Sequence, residues 1–195
     1  MRVISGSAGG RRLYAPNGMH IRPTTDRMKE NLFNILAGRI YGARFLDIFS
    51  GTGAIGIEAL SRGAASAVFV DASSAFLINK NLALTGFTER AAVVKLDFAS
   101  ALKNLNEKHM EFDIVFMDPP YDRGYVPQAA NLVSDLRLLN PHGLLAAEMA
   151  PGEVAPQIND MSLYKVKRYS TSVFFFYQLV PVGDMKNDSY FSRNI

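Results

Sequence analysis

Four aspartates, Asp47, Asp71, Asp97 and Asp118, fall in or just after the C-terminal half of successive apolar runs at 45–49, 67–70, 91–96 and 114–117. In an open α/β sheet such strand ends share one edge, and ligands bind in the crevice there. Asp also serves as a helix N-cap, so any one of the four alone is ambiguous; four in succession point to a site. The last opens the run Asp118-Pro119-Pro120-Tyr121. Each proline fixes φ and lacks an N–H, so this strand end presents carbonyls in a rigid geometry with no competing donor. Asp118 and the adjacent main-chain carbonyl can accept both hydrogens of an exocyclic amine and localise its lone pair for attack on a methyl group. Tyr121 adds a flat ring on which a base can stack, worth ~1–3 kcal/mol in comparable sites.

The first aspartate begins a loop in which Gly51, Gly53 and Gly56 keep the Gly-x-Gly-x-x-Gly spacing of dinucleotide-binding turns. A pyrophosphate would rest on the following helix N-terminus and be repelled by Asp47. Asp47 and the loop Ser50-Gly51-Thr52-Gly53 suit a cationic ligand better, one carrying an amine and a sulfonium. Asp71 is placed to accept from ribose hydroxyls, and Asp97 to meet an adenine amino group.

The elements that must hold these residues follow from periodicity. Between the apolar runs, and a further one at 144–149, lie helix-like segments at 54–61, 74–84, 98–105 and 126–138. This alternation is the mark of βαβ units and a parallel sheet. Runs at 163–169 and 172–180 are too close for a parallel crossover and must form an antiparallel hairpin. The fold class expected is α/β: a Rossmann-like, seven-stranded, mostly parallel sheet with helices on both faces. Ahead of it, residues 2–15 read as two short extended pieces around a glycine-rich turn. A helix then runs to Ile40 with Met28, Leu32, Ile35 and Leu36 on one face. The expected division is 1–43 as a basic N-terminal extension, 44–181 as the catalytic domain and 182–195 as a loose tail.

The chain has 195 residues, 48% of them hydrophobic and 20% charged, which excludes disordered and fibrous classes. It has no cysteine, so disulfide frameworks, thiolate metal sites and thiol nucleophiles are excluded. His20, His109 and His142 lack ligand-like spacing, so no metal is expected. No apolar stretch reaches membrane-spanning length, and a soluble cytoplasmic protein is expected. The net charge of +3 conceals an asymmetry: residues 1–44 carry eight bases against two acids, and the remainder 13 bases against 16 acids. A basic N-terminal segment on a slightly acidic body suggests a docking surface for a polyanion.

The glycine loop, the strand-end acids and the Asp-Pro-Pro-Tyr run together resemble class I S-adenosylmethionine-dependent methyltransferases that act on amines. A closer resemblance covers almost the whole chain. Arg2-Val-Ile-Ser-Gly, Gly10-Arg11-Arg12-Leu13, the stretch from Arg22-Pro23-Thr24-Thr25-Asp26-Arg27 to Asn34, the stretch from Phe45 to Gly53 and Gly56-Ile57-Glu58-Ala59-Leu60-Ser61-Arg62-Gly63 are similar to the bacterial RsmD-type family. That family methylates guanine N2 in small-subunit (16S) ribosomal RNA. Asp71 stands where the family pattern leads one to expect Glu, which shortens its reach to a ribose.

The resemblance implies S-adenosylmethionine held by Asp47, Phe49, Ser50, Gly51, Thr52, Gly53, Asp71, Ala72, Asp97 and Phe98, with S-adenosylhomocysteine as product. It implies catalysis at Asp118, Pro119, Pro120 and Tyr121, and ribosomal RNA gripped by Arg2, Arg11, Arg12, Arg22, Thr24, Arg27 and Lys29. The partner would be ribosomal RNA, free or in an assembling subunit, with the protein acting as a monomer. The rival readings are a DNA adenine-N6 methyltransferase, a glutamine-directed protein methyltransferase, a non-catalytic RNA-binding protein on this fold, and an NAD-dependent oxidoreductase supported only by glycine spacing.

Overall fold

A computed structural model of the chain describes residues 1–15, 26–121 and 123–180. Helix α1 (Asp26–Ile40) precedes the alternating units β1 (Arg44–Ile48), α2 (Ala54–Ser61), β2 (Ser66–Val70), α3 (Ala75–Thr85), β3 (Ala91–Val94), α4 (Phe98–Glu107), β4 (Phe112–Met117), α5 (Tyr125–Asp135) and β5 (Leu139–Met149). The hairpin β6 (Met161–Arg168) and β7 (Val173–Leu179) completes a seven-stranded sheet of order β3-β2-β1-β4-β5-β7-β6. The four pairings expected of βαβ units, β1 with β2, β1 with β4, β2 with β3 and β4 with β5, are parallel, and β7 runs antiparallel to both β5 and β6. The chain moves outward from β1 to β3 and then returns to set β4 against β1. That reversal is the switch point where a crevice opens beyond the strands' carboxyl ends.

Alternation along the strands divides the core into two layers. Phe45, Phe69, Ile114, Phe116, Phe174 and Phe176 face α1, α2 and α3, while Leu46, Val68, Val115, Met117, Leu145 and Phe175 face α4 and α5. Both sheet faces are thus covered by helices, which is why the inner strands read as continuous apolar runs instead of alternating ones.

The N-terminal segment belongs to this core. Val3, Ala8 and Leu13 are buried in the same cluster as α1 and the sheet. Its two extended pieces meet at one antiparallel bridge, Arg2 with Arg12, flanked by Val3 N to Arg11 O and Gly10 N to Val3 O bonds of 2.9 Å. The segment lies across α2, all eight residues of which are buried. Gly6 passes so close that a Cβ there would run into the Ser61 carbonyl. Glu58, in the middle of α2, is fully buried and accepts from the backbone N–H of Ile4 at 2.7 Å and of Ser5 at 3.0 Å, and from Arg62 Nε at 2.7 Å.

Several boundaries differ from the sequence reading: α5 ends at Asp135, β3 ends at Val94 and β4 begins at Phe112. Strand β5 starts at Leu139, five residues before the apolar run, because the chain around Pro141 pairs through an irregularity between Phe112 and Ile114. A short 3-10 helix, Thr88–Arg90, precedes β3. The tail after Val180 lies outside the described residues.

Candidate active site

The strand ends open into one cleft of about 720 Å³, lined by Phe49, Gly51, Val70, Asp71, Ala72, Ser73, Ser74, Leu96, Asp97, Phe98, Asp118, Pro119, Pro120, Tyr121, Tyr125, Glu148 and, from α1, Met28. This volume is within the range of small-molecule sites. Asp47, Asp71 and Asp97 are in different electrostatic states: burial dominates in the first, and hydrogen bonds in the other two.

Asp47 is not a lining residue. It is 1% exposed, and its Oδ2 accepts from Gly56 N at 2.9 Å, so it ties the glycine turn to the first turn of α2. Burial pushes its carboxyl up to about 7, against the Gly56 N–H and reinforced by the charge of Asp71. The expectation that Asp47 meets a cationic ligand is therefore corrected: a fully enclosed carboxyl shapes the loop from behind. Gly56 is needed for close packing, since a Cβ there would lie 2.7 Å from Phe69 Cζ. Thr52 is likewise buried and donates to Met1 Sδ at 3.1 Å, and Ser50 Oγ donates to the Asp47 carbonyl at 2.6 Å. Neither they nor Gly53 line the cleft.

Asp71 reaches the cleft already engaged. Burial alone would raise its pKa, but N–H groups of Ser73, Gly51 and Ser74 outweigh this and hold the carboxyl below the usual range. The bond from Gly51 N to Oδ2, 2.9 Å long, joins the ends of β1 and β2 across the cleft floor. Asp97 caps α4 by accepting from Ser100 N at 3.0 Å, and that bond is the main reason its pKa is lowered. It caps a helix and lines the cleft at once, so the two meanings of a strand-end Asp are both realised in one residue.

Three rings form one wall. Phe49 and Phe98 are 5.2 Å apart between centroids, and Tyr125 lies 5.8 Å and 5.7 Å from them. Phe49 has φ of 64°, a left-handed conformation uncommon for a bulky residue and found mostly where a site requires it. Asp118 to Tyr121 line the same cleft as Asp71 and Asp97, and Tyr121 Oη donates to Glu148 Oε1 at 3.3 Å. Sequence reasoning missed Met28, Val70, Ser73, Ser74, Leu96, Tyr125 and Glu148. Glu148 had a readable signal: a lone carboxylate at the end of the apolar run 144–149, a fifth member of the strand-end series.

The residues expected to grip RNA separate into groups. Arg12 and Arg27 are exposed, and Arg11 is exposed with Nη1 donating to the Leu84 carbonyl. Arg2 pairs with Asp26 at 2.8 Å in an exposed ion pair. Arg22 and Thr24 lie outside the described residues. Lys29 is a correction: it is fully buried, with Nζ 3.8 Å from Glu58 and donating to the Arg2 carbonyl, so it cannot reach a phosphate. Desolvation lowers its pKa despite Glu58. Lys80, not anticipated, is exposed with Nζ 3.7 Å above the Tyr14 ring. Among the described residues no group of three or more metal-capable side chains occurs, and no helix is long and apolar enough to cross a membrane.

Comparison with known proteins places this geometry. A family model described as conserved hypothetical protein 95 matches residues 1–178. The ribosomal RNA small subunit methyltransferase D of Escherichia coli is 36% identical over 191 residues, covering 96% of this chain and 94% of that protein. The putative rRNA methyltransferase YlbH of Bacillus subtilis is 34% identical, covering 91% and 98%. A solved structure, the putative methyltransferase yhhF from Escherichia coli, superposes with a TM-score of 0.79 at 38% identity, covering 92% of this chain and 97% of that one. With an aromatic wall, a glycine turn and an Asp-Pro-Pro-Tyr strand end around one cleft, and with likeness over nearly its full length, the chain belongs to the conserved hypothetical protein 95 family, the RsmD-type methyltransferases.

Proposed function

We propose that this protein transfers a methyl group from S-adenosylmethionine to the exocyclic N2 of a guanine in small-subunit ribosomal RNA. One observation carries the reading: Asp118, Pro119, Pro120 and Tyr121 share a cleft with Gly51, Asp71 and Asp97. The small-subunit methyltransferase relatives support the class of RNA. When bound, S-adenosylmethionine supplies an electrophilic methyl group on a sulfonium.

The donor set fits that molecule. Asp71 accepts from ribose hydroxyls, Asp97 and the Phe49, Phe98 and Tyr125 rings receive the adenine end, and Gly51 allows close approach. The target amine is a poor nucleophile because its lone pair is delocalised into the ring. The Asp118 carboxylate and the Pro119 carbonyl accept its two hydrogens and orient the lone pair, while Tyr121 stacks on the base. Alignment of this kind supplies ~7–11 kcal/mol in well-oriented systems, so positioning dominates. Asp118 or a water then takes the proton released as the N–C bond forms. The guanine must leave its stack to reach Tyr121. Exposed Arg11, Arg12 and Arg27, on the 1–43 extension, neutralise phosphates and carry the salt-dependent part of affinity. We take the acting form to be a monomer in the cytoplasm.

The test incubates the protein with methyl-labelled S-adenosylmethionine and free ribosomal RNA, small subunits or duplex DNA, followed by nucleoside mapping. N2-methylguanosine is expected in an RNA arm; label confined to DNA adenine overturns the reading. Asp118→Ala should lower transfer by roughly 10²–10⁴-fold with cofactor affinity, measured by calorimetry, within a few-fold of wild type. Near-normal turnover would remove Asp118 from the chemistry.

A further inference from the structure

We infer that Glu148 is the residue by which this site distinguishes guanine from adenine, accepting the N1–H of the target base. The inference rests on the guanine-N2 reading above and names the group that enforces it. Glu148 is the penultimate residue of β5, is 3% exposed, and lines the cleft with Asp118 and Tyr121. Its neighbours Leu145, Ala146 and Ala147 are fully buried, so the strand carries a carboxylate where an apolar residue would pack at lower desolvation cost. The transfer step needs no second acid there, since the amine is already met by Asp118 and the Pro119 carbonyl.

The chemistry of the two purines supplies a use for it. An ionised carboxylate is acceptor-only, with about four lone-pair positions, so taking the Tyr121 hydroxyl leaves capacity for a further donor. In guanine the ring position beside the reactive amine, N1, carries a hydrogen and donates. In adenine the ring nitrogen beside the reactive amine is bare and presents a lone pair. With the amine held at Asp118, a guanine offers Glu148 a charge-assisted hydrogen bond, and an adenine sets a lone pair against an anion. Asp118 and Tyr121 read features common to both bases, an amine and a flat ring; Glu148 reads the one that differs. The bond from Tyr121 Oη also fixes the carboxylate relative to the stacking ring, so recognition of the edge and of the face are held in register.

The experiment uses RNA carrying 2-aminopurine at the guanine that the labelling above maps. This base keeps the N2 amine but has a bare N1. Wild-type protein should methylate it roughly 10- to 100-fold less efficiently than guanine, the range expected when a hydrogen bond to a charged group is lost. In Glu148→Gln the side-chain amide can donate to a bare N1, so the guanine to 2-aminopurine ratio should fall toward unity or invert. Comparing that ratio between the two proteins cancels the bases' different intrinsic reactivity, and a merely structural role would not move it. An unchanged ratio in the variant overturns the inference, as do equal rates on both bases with wild type, a result that needs no folded variant. Failure of wild type to methylate any guanine would instead defeat the proposed function itself.

Discussion

Replacing Asp47 with Asn should remove a specific pH dependence from the stability of the fold. The carboxyl is enclosed behind the glycine turn, and burial pushes its pKa from 3.8 to about 7. Between those values the folded chain holds a proton that the unfolded chain has released, so stability falls as pH rises through the window. The whole shift corresponds to about 4 kcal/mol, and the part expressed between pH 5 and pH 8 to roughly 2–3 kcal/mol. Asp71 acts in the opposite sense outside this window: its pKa is lowered, so its stabilisation is present above the unfolded value and lost only in more acid solution. An Asn carbonyl can still accept from Gly56 N, which keeps the turn. Urea unfolding of both proteins at pH 5 and pH 8 gives the double difference, in which other titrating groups cancel. Wild type should lose those 2–3 kcal/mol relative to Asp47→Asn over that range. Parallel pH profiles would refute the claim that Asp47 is a desolvated acid and would return it to the ligand-facing role read from sequence.

The remaining predictions concern the packing around α2 and the exposed bases of the N-terminal segment. Lys29→Met leaves Glu58 with Arg62 as its ion-pair partner but strips the Arg2 carbonyl of its donor, and should cost about 1–3 kcal/mol in urea unfolding, whereas Arg12→Ala should leave stability nearly unchanged and reduce the salt slope of RNA binding by about one. A shallower salt slope in Lys29→Met, with stability intact, would contradict the burial. Gly56→Ala forces a methyl against Phe69 and should destabilise by ~1–3 kcal/mol, with partial recovery in the double variant Phe69→Leu; an undiminished melting temperature in the single variant would show that the helix and strand are less tightly apposed.

What could be read from the chain depended on how local its cause was. The seven strands and the helices at 54–61 and 98–105 were legible because apolar alternation and helical periodicity act within one element. The strand-end aspartates were legible as a series, but their individual states were not. Asp47 turned out to be enclosed because Gly56, nine residues on, folds back over it; Asp97 caps a helix and lines the cleft together. Lys29 counted as a basic residue of the arm because charge is summed along sequence. Its burial against Glu58 depends on α2 docking from 29 residues away, which no local pattern reports. Tyr125 was hidden for the same reason: its ring joins Phe49 and Phe98 only once three loops meet.

The charge asymmetry suggested a docking arm attached to a separate body, and the structure changes what that arm can be. Its apolar residues Val3, Ala8 and Leu13 complete one layer of the core, its backbone saturates Glu58 in the helix that follows the glycine turn, and Met1 accepts from Thr52 of the turn itself. Exposed Arg12 and Arg27 therefore stand on a stretch of chain that also packs into the core and contacts the glycine turn. Truncation at residue 43 would remove a wall of the core together with the basic groups, and loss of RNA binding in such a protein would carry no information about charge. Point substitution of Arg12 or Arg27, with Lys29 as the buried counter-example, separates the grip on phosphate from the support of the fold.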